Sequence, residues 1–106
     1  MFFTALSNAG EFSKEQEAEL LAARQWKLDF NKKYPNSLVL NDTEYDNMFE
    51  IVCKGIEKLG YTDASYYVIS EIRDERIIFY FFINLKNMAV QWVGEFIFQY
   101  QEGLNA

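Results

Sequence analysis

The sequence predicts an α+β fold, in which two N-terminal helices pack on a three-stranded antiparallel β-meander that leaves room for a fourth strand. Two observations lead to this prediction. Apolar residues recur at helical spacing before residue 60 and at alternate positions after residue 65. In addition, the run from Ile77 to Leu85 carries no charge, and both of its alternating sets are apolar apart from Asn84. A strand with two apolar faces must be shielded on both sides, so we expect this one at the centre of the sheet.

Length and composition predict one domain, residues 1–106. Half of the 106 residues are hydrophobic and 18% are aromatic, which is enough for one core without a metal or a disulfide. Cys53 is the single cysteine, so no internal disulfide can form. The sequence shows neither a secretory leader nor an apolar run of the ~20 residues that a membrane helix needs. We therefore expect a cytoplasmic protein without membrane contact.

The first helix is expected from Lys14 to about Tyr34. Ser13 and Gln16 have the spacing of a capping box, which satisfies free N–H groups at the start of a helix. Pro35 ends the helix, because the residue before a proline is pushed out of helical geometry. Before this helix, Met1–Leu6 is apolar enough to form an additional edge strand.

The second helix is expected after the candidate caps at residues 41–43, which follow a brief apolar segment at residues 38–40 that suits a short strand. One face of this helix is apolar at 100° per residue and contains Tyr45, Met48, Phe49, Val52, Ile56 and Leu59. Gly60 ends the helix. Gly55 inside it costs up to ~1 kcal/mol relative to alanine, and we interpret it as a point of close approach to the sheet.

Three strands are expected in the second half of the chain: Tyr66–Arg73, Ile77–Leu85 and Met88–Tyr100. Short polar connections at residues 74–75 and 86–87 join them into two hairpins. Gly94 interrupts the apolar alternation of the last strand and predicts a bulge. We expect the tail after Tyr100 to fray.

The sheet face that points away from the helices has no predicted cover. Ile78, Tyr80 and Phe82 line it on the central strand. Aromatic residues of the strands have three interpretations, namely core packing, which we favour, an exposed patch for a protein partner, and a stacking surface for single-stranded nucleic acid. The aromatic residues concerned are Tyr66, Tyr67, Tyr80, Trp92, Phe96, Phe98 and Tyr100.

The chain contains no histidine, which removes the commonest general base, the Ser-His and Cys-His nucleophilic pairs and most zinc sites. Cys53 borders the apolar face of the second helix, away from the positive helix end that would lower its pKa, so we interpret it as a structural thiol. No glycine-rich phosphate loop is present. We therefore predict no catalytic residue, no metal site and no cofactor.

The net charge of −6 argues against direct binding to nucleic acid, because that affinity comes from lysines and arginines that neutralise phosphates. A basic protein partner suits this charge better. The acidic residues expected to bind it are Asp42, Glu44, Asp46, Glu50, Glu57, Asp74 and Glu75. The alternative interpretation of the helix carboxylates is an ordinary solvated face.

These observations favour a non-enzymatic inhibitor that covers the active or substrate-binding site of a basic partner. Small acidic immunity proteins that neutralise bacterial nuclease toxins have this size and charge, which is an analogy of type and not a motif match. Three alternatives stay open. They are a phage-type anti-defence protein that mimics nucleic acid, a small hydrolase with carboxylates in a cleft between the second helix and the sheet, and a homodimer joined through the sheet.

Overall fold

The computed structural model describes residues 12–85 and 89–103. Within them the chain forms six elements, which are α1 Lys14–Lys33, β1 Val39–Leu40, α2 Asp42–Lys58, β2 Tyr66–Arg73, β3 Arg76–Asn84 and β4 Val90–Tyr100. The predicted α+β class is confirmed, with both helices before the meander. The strand expected at Met1–Leu6, the second connection at residues 86–87 and the end of the tail lie outside the described residues.

Both helices begin at capping boxes. Ser13 Oγ accepts the Gln16 N–H at 3.1 Å, and Gln16 Oε1 accepts the Ser13 N–H at 2.9 Å. At the start of α2, Asn41 and Glu44 exchange the same two hydrogen bonds, each at 2.9 Å. Each box satisfies backbone donors that have no partner inside the helix. Gly60 follows α2 at φ 109°, a left-handed conformation that glycine adopts without strain.

The sheet has the strand order β1-β4-β3-β2. β2, β3 and β4 form the predicted antiparallel meander. The fourth strand in the described chain is β1, which pairs in parallel with β4 through Val39 opposite Gln99 and Leu40 opposite Tyr100. The sheet is therefore mixed, and the prediction of a wholly antiparallel sheet is wrong. A two-residue strand contains too few positions for any alternation to indicate its partner or direction.

The helices pack on one face of the sheet and form the core there. The central strand β3 and the residue that follows it contribute five buried side chains to that face: Ile77, Phe79, Phe81, Ile83 and Leu85. Trp26 of α1 packs edge-on against Phe81 and Phe96, with ring centroids 6.0 and 5.8 Å apart. Phe49 of α2 packs edge-on against Phe79 at 5.5 Å. Such edge-to-face pairs stabilise a core by about 0.5–1.5 kcal/mol beyond the area they bury.

The β-bulge predicted at Gly94 is confirmed. The register of β3 against β4 shifts between Phe81, which lies opposite Gly94, and Phe82, which lies opposite Trp92. Val93 is therefore the extra residue of the bulged strand, and its side chain is buried in the core. The bulge reverses the alternation along β4, so that Trp92 lies on the sheet face opposite to the helices.

Gly55 does mark a close contact, but its neighbour is α1 and not the sheet. A Cβ atom added at Gly55 would lie 2.6 Å from Cζ2 of Trp26. The predicted approach to the sheet is wrong because the indole of Trp26 occupies the space beside this turn of α2. The sequence could not indicate which neighbour the glycine accommodates, since both are apolar.

Candidate binding surfaces

The carboxyl end of β4 brings together acidic residues that are distant in the sequence. The Tyr100 hydroxyl donates to Asp42 Oδ1 at 2.5 Å, and the Tyr100 N–H donates to the carbonyl of Glu75 at 2.9 Å. Glu75 and Glu102 both line an open groove of about 470 Å³ beside Tyr100. We call Asp42, Glu75 and Glu102 the acidic end. It joins the first turn of α2, the β2–β3 turn and the residues that follow β4.

Tyr100 is held in its protonated form at this place. The hydrogen bond to Asp42, aided by burial and by the charges of Asp42 and Glu102, raises the pKa of Tyr100 to about 12. The phenol therefore stays a donor throughout the physiological pH range. One consequence is that the Asp42 carboxylate has a fixed hydrogen-bond partner, which restricts its rotamers.

Two further acids predicted to bind a partner flank the acidic end. Glu44 uses its carboxylate to cap the N–H of Asn41 and is exposed. Asp74 and Glu75 form the tight turn of the β2–β3 hairpin, with φ of 54° and 61°. Both values lie in the left-handed region that two-residue hairpin turns require. Asp74 is exposed at the tip of this hairpin.

The remaining three predicted acids lie along α2 and do not join the acidic end as a group. Asp46 and Glu50 are exposed, and Glu50 Oε2 lies 3.2 Å from Nζ of Lys54. Glu57 Oε2 accepts the Tyr66 hydroxyl at 2.7 Å, which ties α2 to β2. The structure thus separates the seven residues into an acidic end with its flanks, an exposed helix face and one structural carboxylate.

The residues predicted from the sequence to bind a partner do not include Glu102 or Tyr100. Glu102 lies in the tail that was expected to fray, and Tyr100 was grouped with the other sheet aromatics. Both reach the acidic end because Gln101 donates its N–H to the carbonyl of Leu40 at 3.0 Å and so extends the parallel pairing with β1. Nothing in the local sequence indicates that β1 pairs with the end of β4.

The sheet face opposite to the helices forms a second candidate surface. We call it the open face, and its side chains include Tyr67, Ile69, Ile78, Tyr80, Phe82, Trp92 and Ile97. Strand register places Tyr67, Phe82 and Trp92 in one row across three strands. Half of the Trp92 surface is exposed, and neither α1 nor α2 covers this row. The expected lack of cover is wrong for Ile78, which is buried, and Tyr80 and Phe82 on the same strand are partly buried. Tyr67, Ile69 and Trp92 are exposed on this face in the part of the chain that the structure describes.

The aromatic residues of the strands divide between three environments. Tyr66, Phe96 and Phe98 belong to the core, as the favoured interpretation expects. Tyr67, Tyr80 and Trp92 lie on the open face. Tyr100 lies at the acidic end. The arginines of the hairpin, Arg73 and Arg76, are paired across it, and Arg73 lies 3.6 Å from Glu71.

Cys53 lies beside Tyr66 and is partly buried against the core. Burial raises the pKa of the Cys53 thiol, and a hydrogen bond with Tyr66 opposes this shift. A thiol with a raised pKa contains little of the reactive thiolate at neutral pH.

The side chains between α2 and the sheet, where a hydrolytic cleft was considered, include the buried Met48, Val52 and Ile56. Among residues 12–85 and 89–103, no group of three or more histidine, cysteine or acidic residues is arranged to hold a metal ion.

Neither helix of the described chain combines the length and the apolar character that crossing a bilayer demands. Comparison with known proteins gives no further assignment. No family model, no curated protein and no solved structure matches this chain.

Proposed function

We propose that this chain is a non-enzymatic binding protein that covers the active or substrate-binding site of a basic protein partner, as an immunity protein covers a bacterial nuclease toxin. One observation carries the proposal. Asp42, Glu75 and Glu102 come from three separate parts of the chain and meet around Tyr100 at the acidic end. A soluble chain that needs negative charge only to stay dispersed has no need to concentrate carboxylates in this way.

The geometry of the acidic end suits a protein surface. Its groove is open to solvent, and it is lined by polar side chains together with Val39 and Tyr100. A small molecule is usually enclosed on most sides, whereas an open acidic groove complements a basic patch of a partner protein. Tyr100 adds an aromatic ring and a fixed hydroxyl, the type of side chain that is enriched where proteins bind proteins.

The net charge of the whole chain also favours a basic partner. With sixteen acids and ten bases the field around the molecule attracts a cationic partner before contact. Steering of this kind raises association rates by about 10–10³-fold and falls steeply with ionic strength. Rapid association is what an inhibitor of a toxic enzyme requires.

The test begins with co-expression of the chain with a panel of toxic nuclease domains of positive net charge, with cell growth as the readout. Any nuclease that the chain neutralises is then purified, and its association rate is measured at low and high salt. We compare the pair Glu75→Lys and Glu102→Lys with the pair Asp46→Lys and Glu50→Lys, which changes the net charge equally on the outer face of α2.

We expect the acidic-end pair to slow association at least tenfold at low salt and the helix pair to slow it much less. Melting temperatures of both pairs serve as the folding control. The proposal is refuted if no basic nuclease on the panel is neutralised, or if the acidic-end pair leaves association and its salt dependence unchanged.

A further inference from the structure

The two edge strands of the sheet differ in length and in how well their outer backbone groups are protected. One edge is β1, which has two residues and offers little backbone for pairing. The other edge is β2, which has eight residues and pairs only with β3 in the described chain. Natural sheets protect long edges with charged side chains, above all lysine, with proline, with a bulge or with a covering element. Neither proline nor lysine occurs in Tyr66–Arg73, its two charged residues are the oppositely charged Glu71 and Arg73, and its register with β3 is unbroken.

The hairpin turn determines which backbone groups of β2 face outward. Arg73 and Arg76 flank the two-residue turn, so they form a hydrogen-bonded pair in this type of hairpin. Hydrogen-bonded and non-bonded pairs then alternate along an antiparallel ladder. Ser65, which has the same parity as Arg73, accepts the Asn84 N–H at 2.9 Å, as this alternation requires. The outward N–H and C=O groups therefore belong to Tyr66, Val68, Ser70 and Ile72.

This edge exposes three large, mainly apolar side chains and carries no net charge. Ile69 is 57% exposed, and Tyr67 and Ile72 are also exposed at the edge. Glu71 and Arg73 are the charged residues of β2, and their side chains lie 3.6 Å apart. A second copy of this chain has the same net charge of −6, but within Tyr66–Arg73 the charges of Glu71 and Arg73 cancel, so repulsion between two copies comes from acids outside the paired strands, such as Asp63 and Glu75.

We propose that two copies of this chain pair antiparallel through the outer edges of β2, about a two-fold axis beside Ile69, to form one continuous sheet. Residues that lie directly opposite each other in an antiparallel pair have their side chains on the same sheet face. Only registers that place Ile69 opposite another open-face residue of the second copy are therefore allowed. With Ile69 opposite the partner subunit's Ile69, each outward-facing residue from Tyr66 to Ile72 finds a backbone partner on the other copy. A shift of the centre to Val68 or Ser70 leaves outward-facing groups at the strand ends without partners.

The same register pairs the exposed side chains favourably. Tyr67 lies opposite the partner subunit's Glu71. The Glu71 carboxylate already accepts the Tyr80 hydroxyl of its own copy, and its second oxygen can accept the Tyr67 hydroxyl across the axis. Ile69 packs against the partner subunit's Ile69 in a non-hydrogen-bonded pair, in which Cβ atoms lie about 4.5–5.5 Å apart. An edge of this length buries less than the ~800 Å² per partner of a standard interface, so the dimer is expected to depend on concentration.

Disulfide trapping tests both the dimer and its register. In a Cys53→Ser background, Ile69→Cys places two thiols across the axis at a distance that a disulfide can bridge. Tyr67→Cys is the matched control, because in this register the two Tyr67 positions lie several residues apart along the strands. Under mild oxidation of the full chain, we expect a covalent dimer from Ile69→Cys and little from Tyr67→Cys.

Sedimentation of the unmodified full chain at rising concentration gives an independent measurement. We expect a monomer–dimer equilibrium whose dissociation constant rises at least tenfold in Ile69→Lys. It should also rise in Ser70→Pro, which removes an outward donor, but not in Ser70→Ala. Circular dichroism confirms that each variant is folded. The proposal is overturned if the chain stays monomeric at all concentrations, as it would if another segment or a partner occupied the edge, or if both cysteine variants cross-link equally.

Discussion

Replacing Gly55 with alanine tests the contact between α1 and α2. On helix propensity alone, Gly55→Ala should stabilise the protein by up to about 1 kcal/mol. The structure predicts the opposite sign, because the new Cβ would lie 2.6 Å from Cζ2 of Trp26. The indole cannot easily move away, since it is in contact with Phe30, Phe81 and Phe96 at centroid distances of 5.3, 6.0 and 5.8 Å.

The expected loss follows from two opposing quantities. Inserting an extra methyl group against a tightly packed side chain costs about 1–3 kcal/mol, and the propensity gain offsets up to about 1 kcal/mol of it. Because Gly55 and Trp26 are partly exposed, we expect a value in the lower part of that range. We therefore expect a net loss of about 1 kcal/mol, which corresponds to a fall in Tm of about 4–8 °C for a domain of this size. Replacing Trp26 with phenylalanine keeps an aromatic ring in the core but removes the Cζ2 edge. In that background Gly55→Ala should stabilise the protein.

Urea unfolding of the four proteins in this double-mutant cycle gives the coupling energy. We expect about 2 kcal/mol, well above the ~0.5 kcal/mol within which independent sites add. Gly94→Ala is the matched control. Its added Cβ would lie 2.7 Å from the Lys27 side chain, which can rotate away, so stability should change by less than about 1 kcal/mol. The reasoning is refuted if Gly55→Ala stabilises the wild-type protein, or if both backgrounds respond equally.

Three further predictions concern ionisation and packing. Because the folded-state pKa of Tyr100 is about 12 and the unfolded value is near 10, the stability that Tyr100 adds is present below pH 10 and is lost toward pH 12. Urea melts should show the advantage over Tyr100→Phe shrinking in this interval, and a constant difference would contradict the assignment. The Cys53 thiol should react with a disulfide reagent more slowly in the native protein than in urea, and equal rates would contradict a structural role. Phe79→Ala should lower the free energy of unfolding by about 3–5 kcal/mol, and replacing the half-exposed Trp92 with alanine should lower it clearly less. Equal losses from the two substitutions would contradict the assignment of the core to the sheet face that contains Phe79.

Most of the fold could be predicted because its elements are encoded locally. Each helix start depends on two residues three positions apart, such as Ser13 and Gln16, and each helix end on a proline or a glycine. The alternation in β2 and the uncharged run in β3 identify strands without reference to the rest of the chain. The short strand suggested at residues 38–40 is present as β1, but its parallel pairing could not be predicted, since its partner β4 lies some sixty residues away and two residues show no alternation.

The candidate site was predicted only in part, for a related reason. Acidic residues can be read from the sequence, but their grouping depends on which elements meet. Asp42 reaches Tyr100 because β1 lies beside β4, and Glu75 reaches it because the pairing of β3 with β4 continues to the Glu75 carbonyl. Glu57 instead accepts the Tyr66 hydroxyl and stabilises the fold. Glu102 joined the group without any local signal. The position of a charge along one helix therefore did not indicate its neighbours.

By itself the sequence determined the class of the fold, the helix limits and the meander, because these follow from spacing and caps within short segments. Only the tertiary structure decided the mixed sheet, the contact of Gly55 with Trp26, the acidic end and the unpaired edge of β2. Each of these depends on a pairing between distant segments. Such a pairing is selected by the total burial and hydrogen bonding of the whole chain, so no short stretch of sequence specifies it.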